Sequence, residues 1–168
     1  SGVVDESAAE IVAYHAATAR LFVVNANDGN VDVLFALNPA NPVKIDTIDV
    51  SGANGVPAGA SINSISVRAD GLVAVAIENP VKTENGWVGF FDASSLEFLD
   101  VVRVGALPDM VLISPDGTQA ITANEGEPND DYTVDPEGSI SVIALPEAIA
   151  APEQEDVRTA TFHDYEAD

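Results

Sequence analysis

The sequence predicts an all-β chain, a β-propeller segment of about three four-stranded antiparallel blades, and three observations predict it. Apolar and polar residues alternate with period two through short runs rich in Val, Ile and Thr. Gly, Pro, Asn and Asp punctuate those runs at turn spacing. One four-strand pattern then recurs three times, with Leu21, Val73 and Ala120 aligned 52 and 47 residues apart. A four-stranded unit repeating at about 40–50 residues marks propeller blades.

The first unit, residues 9–50, opens with Ile11–Tyr14, turns, and continues with Leu21–Asn25, Val31–Leu34 and Lys44–Ile48. The second, residues 61–104, runs Ser64–Val67, an Asp70-Gly71 turn, Leu72–Ile77, Val88–Phe91 and Phe98–Val102. The third, residues 108–165, runs Met110–Ile113, an Asp116-Gly117 turn, Gln119–Asn124, Ile140–Ile143 and Thr159–Phe162. Asp-Gly suits the tight primed turn of a hairpin, because that turn needs positive φ. Asp28-Gly29 reads the same way. Trp87, Phe90 and Phe91 read as blade packing. The best helical candidate is 146–155 (PEAIAAPEQE), cut short by Pro152. The Gly-rich stretch 51–60 reads as a flexible connection between units.

A single blade cannot bury both of its faces, and a closed ring takes roughly 4–8 of them. Three are too few, and the pattern stops in mid-unit over 162–168. The chain also starts at Ser1 and not at Met. The expectation is a processed or excised part of a longer propeller, partnered by remaining blades of the same protein or another chain. An open stack of sheets or a sandwich is the alternative.

The chain has 168 residues, with 28 Asp+Glu against 6 Lys+Arg and a net charge of −22. Hydrophobic residues make up 46%, enough for a packed core. The charge disfavours nucleic acid and anionic membranes and favours cations, or a high-salt medium in which an acidic surface stays in solution. No apolar run approaches the roughly 18–20 residues of a membrane span, so this segment is expected not to insert in a membrane. There are no cysteines, which excludes disulfides, thiolate metal sites and cysteine nucleophiles.

The acidic residues are unevenly placed. The connection 125–138 carries Glu125, Glu127, Asp130, Asp131, Asp135 and Glu137, six carboxylates in 14 residues with no base among them. Clustered carboxylates repel unless a cation or solvent screens them. Ca²⁺ takes six to eight oxygen ligands in flexible geometry, so it suits such a loop better than Mg²⁺ or Mn²⁺. Zinc is disfavoured with only His15 and His163 available, and both read as single surface histidines. The loop is no EF-hand. With Asn129, Asp131 and Thr133 at positions one, three and five, Val134 falls where Gly is needed and Ile140 where the bidentate Glu belongs. Glu78 aligns with Glu125, each just after its second strand, and Asp109 stands immediately before an inner strand, so it would face the same end of the ring. These two join the candidate metal set, with rim solvation or turn capping as their plain alternative. A solvated acidic surface is the plain alternative for the whole loop. Asn25 aligns with Asn124, and both read as loop-bonding residues.

Leu21–Leu34 (LFVVNANDGNVDVL) resembles the YVTN-type propeller repeat. The phrases Gly105–Met110, Ala123–Tyr132 (ANEGEPNDDY) and Val134–Ser139 are similar to the choice-of-anchor I domain, a family related to mesenchyme-specific cell-surface glycoproteins linked to biomineralisation. The resemblance spans Glu10 to Tyr165. It implies a secreted, periplasmic or cell-surface propeller in a longer chain, often with a separate anchor. His15 stands where an acidic turn residue is more usual in the family, which sets it outside any shared site.

The leading expectation is therefore a structural and interaction module that binds a divalent cation, calcium first. The rival is a metal-dependent phosphoric-ester hydrolase of the alkaline phosphatase or phytase kind, since some relatives carry phosphatase labels. It would rely on metals bridging carboxylate and phosphate, because the six basic residues are dispersed and no nucleophile elbow or phosphate-cradling loop is present.

Overall fold

Turn chemistry sets the strand ends. In the computed structural model, which describes residues 9–25 and 27–163, the Gly71 N–H donates to Arg68 O and the Gly117 N–H to Ser114 O. Gly71 and Gly117 hold φ of +112° and +73°, while Asp70 and Asp116 stay at negative φ. The primed two-residue turns expected at these Asp-Gly pairs are therefore replaced by four-residue turns that Gly closes. Pro115 fixes the second position of the 114–117 turn at negative φ, which rules out the primed form there.

Twelve strands follow from this punctuation among the described residues. The first sheet holds β1 (Ala9–His15), β2 (Arg20–Asn25), β3 (Asn30–Phe35) and β4 (Val43–Ile48). The second holds β5 (Ser61–Val67), β6 (Leu72–Glu78), β7 (Asn85–Asp92) and β8 (Phe98–Ala106), and the third β9 (Pro108–Ile113), β10 (Gln119–Asn124), β11 (Ser139–Ala144) and β12 (Val157–Thr161). Each sheet is an antiparallel meander in chain order. Tyr165, the last residue of the family resemblance, lies outside the described residues. The helical candidate 146–155 is not a helix. It yields one 3₁₀ turn, Gln154–Asp156, because Pro152 and the chain's return to β12 leave no room for an α-turn run.

The sheets stack face to face, with β1, β5 and β9 in successive contact. Between the first and second, Phe22, Val24, Val31 and Val33 meet Ile62, Val73, Val75 and Ile77. Between the second and third, Leu72, Ala74, Ala76 and Phe90 meet Val111, Ala120 and Ile143. Residues Leu72 to Ile77 of β6 are wholly buried because both faces are covered, so the strand reads as an unbroken apolar run. Each large side chain buried in a seam contributes about 1.5–3 kcal/mol.

Polar groups fasten the second seam at its centre and at one end. Ser64 and Ser66 of β5 accept the N–H groups of Val111 and Ile113. At the end carrying the 68–71 and 114–117 turns, the Arg68 guanidinium grips both Asp70 carboxylate oxygens and the carbonyls of Gly117, Pro146, Glu147 and Ala148. His15 is not the surface residue expected. It is 2% exposed, its Nδ1 shares a hydrogen bond with Thr18 Oγ1, and its ring packs beside Gly71.

Candidate functional site

The long loop 125–138 is rooted at the corner between β8 and β9. Leu107 alone joins those strands, in the left-handed region at φ +51°. Its carbonyl accepts the Glu125 N–H at 2.9 Å, and the Ala106 carbonyl accepts the Gly126 N–H at 3.2 Å. These bonds tie the loop's first residues to the corner that carries Asp109. On the same side, Asn63 of β5 donates to Glu78 Oε2 at 3.2 Å and to the Pro108 carbonyl at 3.4 Å. Asn63 thereby links the end of β6 to the start of β9. Sequence reasoning missed it, since a strand Asn with no acidic neighbour carries no signal.

Glu78, Asp109, Glu125 and Glu127 are thus brought to one end of the second seam. Glu125 is exposed on one side. Its partial burial first, and then the charges of Asp109, Glu127 and Glu78, push its carboxyl above the ordinary 4.5. The other four candidates do not join this group. Asp130 is 98% exposed at the tip, and Asp131 and Asp135 are exposed beside it. Glu137 pairs with His163 Nε2 at 3.0 Å.

The loop also has a base that the local sequence hides. Lys82, from the β6–β7 connection, lies 3.8 Å from Glu127 and 3.5 Å from Asp130. These residues, with Pro128, Asn129 and Tyr132, line an open cavity of 390 Å³. Asn129 folds the tip on itself, its Oδ1 accepting the N–H groups of Thr133 and Val134. As the side chains stand, no three acidic or imidazole groups among the described residues are close enough together to hold an ion.

The remaining basic residues are held elsewhere. Lys44 pairs with Asp32, Arg20 with the Ala93 and Ser94 carbonyls, and Arg158 with those of Glu155 and Val157. Arg103 stacks 4.4 Å over Trp87. Asn25 and Asn124 bond as local struts, Asn25 to Asp28 and Asn124 to Ser139 and Ser141. Among the described residues no helix is long and apolar enough to cross a membrane.

Residues 10–168 match the family model of the choice-of-anchor I domain. No curated protein matches the chain. Many solved structures share its fold, among them the following three. Hydrazine synthase of Kuenenia stuttgartiensis is 21% identical with a TM-score of 0.58, over 81% of this chain and 34% of its own. A putative 6-phosphogluconolactonase from Bacteroides fragilis is 13% identical with a TM-score of 0.63, over 95% and 41%. A protein from Lactobacillus plantarum is 12% identical with a TM-score of 0.55, over 89% and 44%. The chain spans between a third and a half of the length of these structures, and at such identities the likeness is one of fold alone.

Proposed function

The chain belongs to the choice-of-anchor I domain family, and from that premise we propose that it is a secreted or surface-displayed β-propeller segment, a structural and binding module whose acidic rim takes a divalent cation, calcium first. The observation that carries the cation reading is the crowding of Glu78, Asp109 and Glu127 around Glu125. A cation cancels that repulsion, and oxygen-only donors in a flexible loop suit Ca²⁺. The side chains must swing inward to close on it, since among the described residues no three are in place. That reorganisation costs affinity, so Kd falls in the range of about 10⁻⁴–10⁻³ M of extracellular calcium modules. Asp130, Asp131, Asp135 and Glu137 form the surrounding negative rim that concentrates the ion.

The two end sheets supply the structural half of the role. Ala13 packs into the first seam, so by alternation Val12 and Tyr14, both exposed, turn away from it. Val111 packs into the second seam, and Met110 and Leu112 turn away in the same manner. These outward faces take further blades, from the same protein or another chain.

Calorimetric titration with calcium tests the cation, with melting as a second readout. At about ten times Kd the gain is about 1.4 kcal/mol, or roughly 3–6 °C in Tm for a chain of this size. A chelator reverses it, and Glu78→Gln with Glu125→Gln abolishes it. A flat titration together with a melt indifferent to calcium refutes the proposal.

A further inference from the structure

We infer that Asn54 is a site of spontaneous deamidation in the folded protein, and that its conversion loosens the seam between the first and second sheets. The sequence holds two Asn-Gly pairs, Asn54-Gly55 and Asn85-Gly86. In such a pair the glycine amide nitrogen, on losing its proton, attacks the asparagine Cγ. The new C–N bond closes a succinimide ring, the Cγ–Nδ2 bond breaks, and ammonia leaves with the proton. Water then opens the ring at either carbonyl, giving aspartate or isoaspartate. Glycine favours the attack because no side chain shields its nitrogen.

The fold treats the two pairs oppositely. Asn54 is exposed in the 49–60 connection with φ +38°, and Gly55 follows at φ +85°. A Cβ placed on Gly55 meets nothing within 4 Å. The backbone bonds of this loop run from Gly52 to Val56, Ala53 to Val50 and Val56 to Ala53, and among the described residues none uses the Gly55 N–H. The nucleophile is open to solvent and base. Gly86 is instead buried inside β7, and the Ile77 carbonyl and the Pro108 ring fill the space where its Cβ would stand. Asn85 is held in register with Ala106, so the chain there cannot bend into a five-membered ring.

The consequence follows from what Asn54 holds. Its Nδ2 donates to Asp100 Oδ1 at 3.1 Å, the same oxygen that takes the Val101 N–H. Conversion replaces that donor with a carboxylate facing a carboxylate, in a chain already at −22. The isoaspartate product also inserts a methylene into the backbone between Val50 and Val56, both anchored in the first seam.

The test incubates the native chain and the urea-unfolded chain in mildly alkaline buffer and maps peptides by mass spectrometry, following the gain of about one mass unit per event. In the unfolded chain both asparagines convert at matched rates. In the native chain Asn54 outpaces Asn85 by about tenfold or more, as local order protects the latter. Retention of the Asn54 amide in native protein while the unfolded chain converts overturns the inference, as does Asn85 keeping pace. Anion exchange separates the converted fraction by its added charge. That fraction melts below the unconverted one, whereas Asn54→Gln, which removes the reaction and keeps an amide, holds its melting point through the incubation. Equal melting of the two fractions overturns the claim about the seam.

Discussion

Replacing Arg68 by Met removes the charged fork and keeps most of the apolar stem. Arg68 is 9% exposed and comes from the second sheet, yet four of its acceptors are carbonyls at 117 and 146–148 in the third. Hydrogen bonds to a charged donor contribute about 1.5–3 kcal/mol each when both groups are dry, and breaking a buried ion pair costs about 3–5 kcal/mol. Both figures need reduction here. Asp70 is 42% exposed, so its share is screened by water. Three of the four carbonyls, those of Gly117, Pro146 and Glu147, belong to residues lining a 590 Å³ cavity open to solvent, and water partly replaces the lost donors. The expected loss is about 3 kcal/mol, which is roughly 6–12 °C in Tm for a chain of this length. Urea unfolding followed by tryptophan fluorescence reads it through Trp87, which lies in the sheet both seams share. Arg68→Lys keeps the charge but not the fork and recovers less than half. A loss under about 1 kcal/mol for Arg68→Met, with unchanged denaturant dependence, refutes the clamp.

Three further outcomes follow. Glu125 has a raised carboxyl, so the folded chain binds that proton more tightly than the unfolded chain, and stability falls as pH rises from the ordinary 4.5 through the raised value. Glu125→Gln therefore raises Tm at neutral pH without calcium and flattens that slope, and a neutral-pH Tm below the parent's counts against the crowding. Asp70 is lowered first by its hydrogen bonds from Arg68, so its contribution is present above 3.8 and is lost as pH falls through the depressed value. An acid titration of unfolding in which Asp70→Asn leaves the curve below pH 4 unaltered contradicts that. Gly105→Ala places a Cβ 2.5 Å from Ser139 Oγ and 2.8 Å from Asn124 Cβ, and overpacking of this kind costs about 1–3 kcal/mol, measured by chemical unfolding.

Strands were the most legible part of the sequence, because alternation and turn residues are local signals. Leu21–Asn25 lies within β2, Leu72–Ile77 within β6 and Gln119–Asn124 is β10 itself. The acidic connection was equally plain from six carboxylates in one loop. What pairing in space decides was hidden. Lys82 sits more than forty positions before the carboxylates it meets, and Arg68 stands 49 to 80 positions before its carbonyls. His15 looked like an exposed turn residue, but the 68–71 turn of the next sheet covers it. The turn type also escaped, since Asp-Gly fits two geometries and Pro115 decides between them at one site.

A crystal structure of the chain grown with calcium tests the cation site most directly. An anomalous density peak is expected between Glu78, Asp109 and Glu125, with carboxylate oxygens at about 2.3–2.6 Å. Calcium seated only at the loop tip by Asp130 and Asp131, or absent from the end of the second seam at saturating concentration, contradicts it.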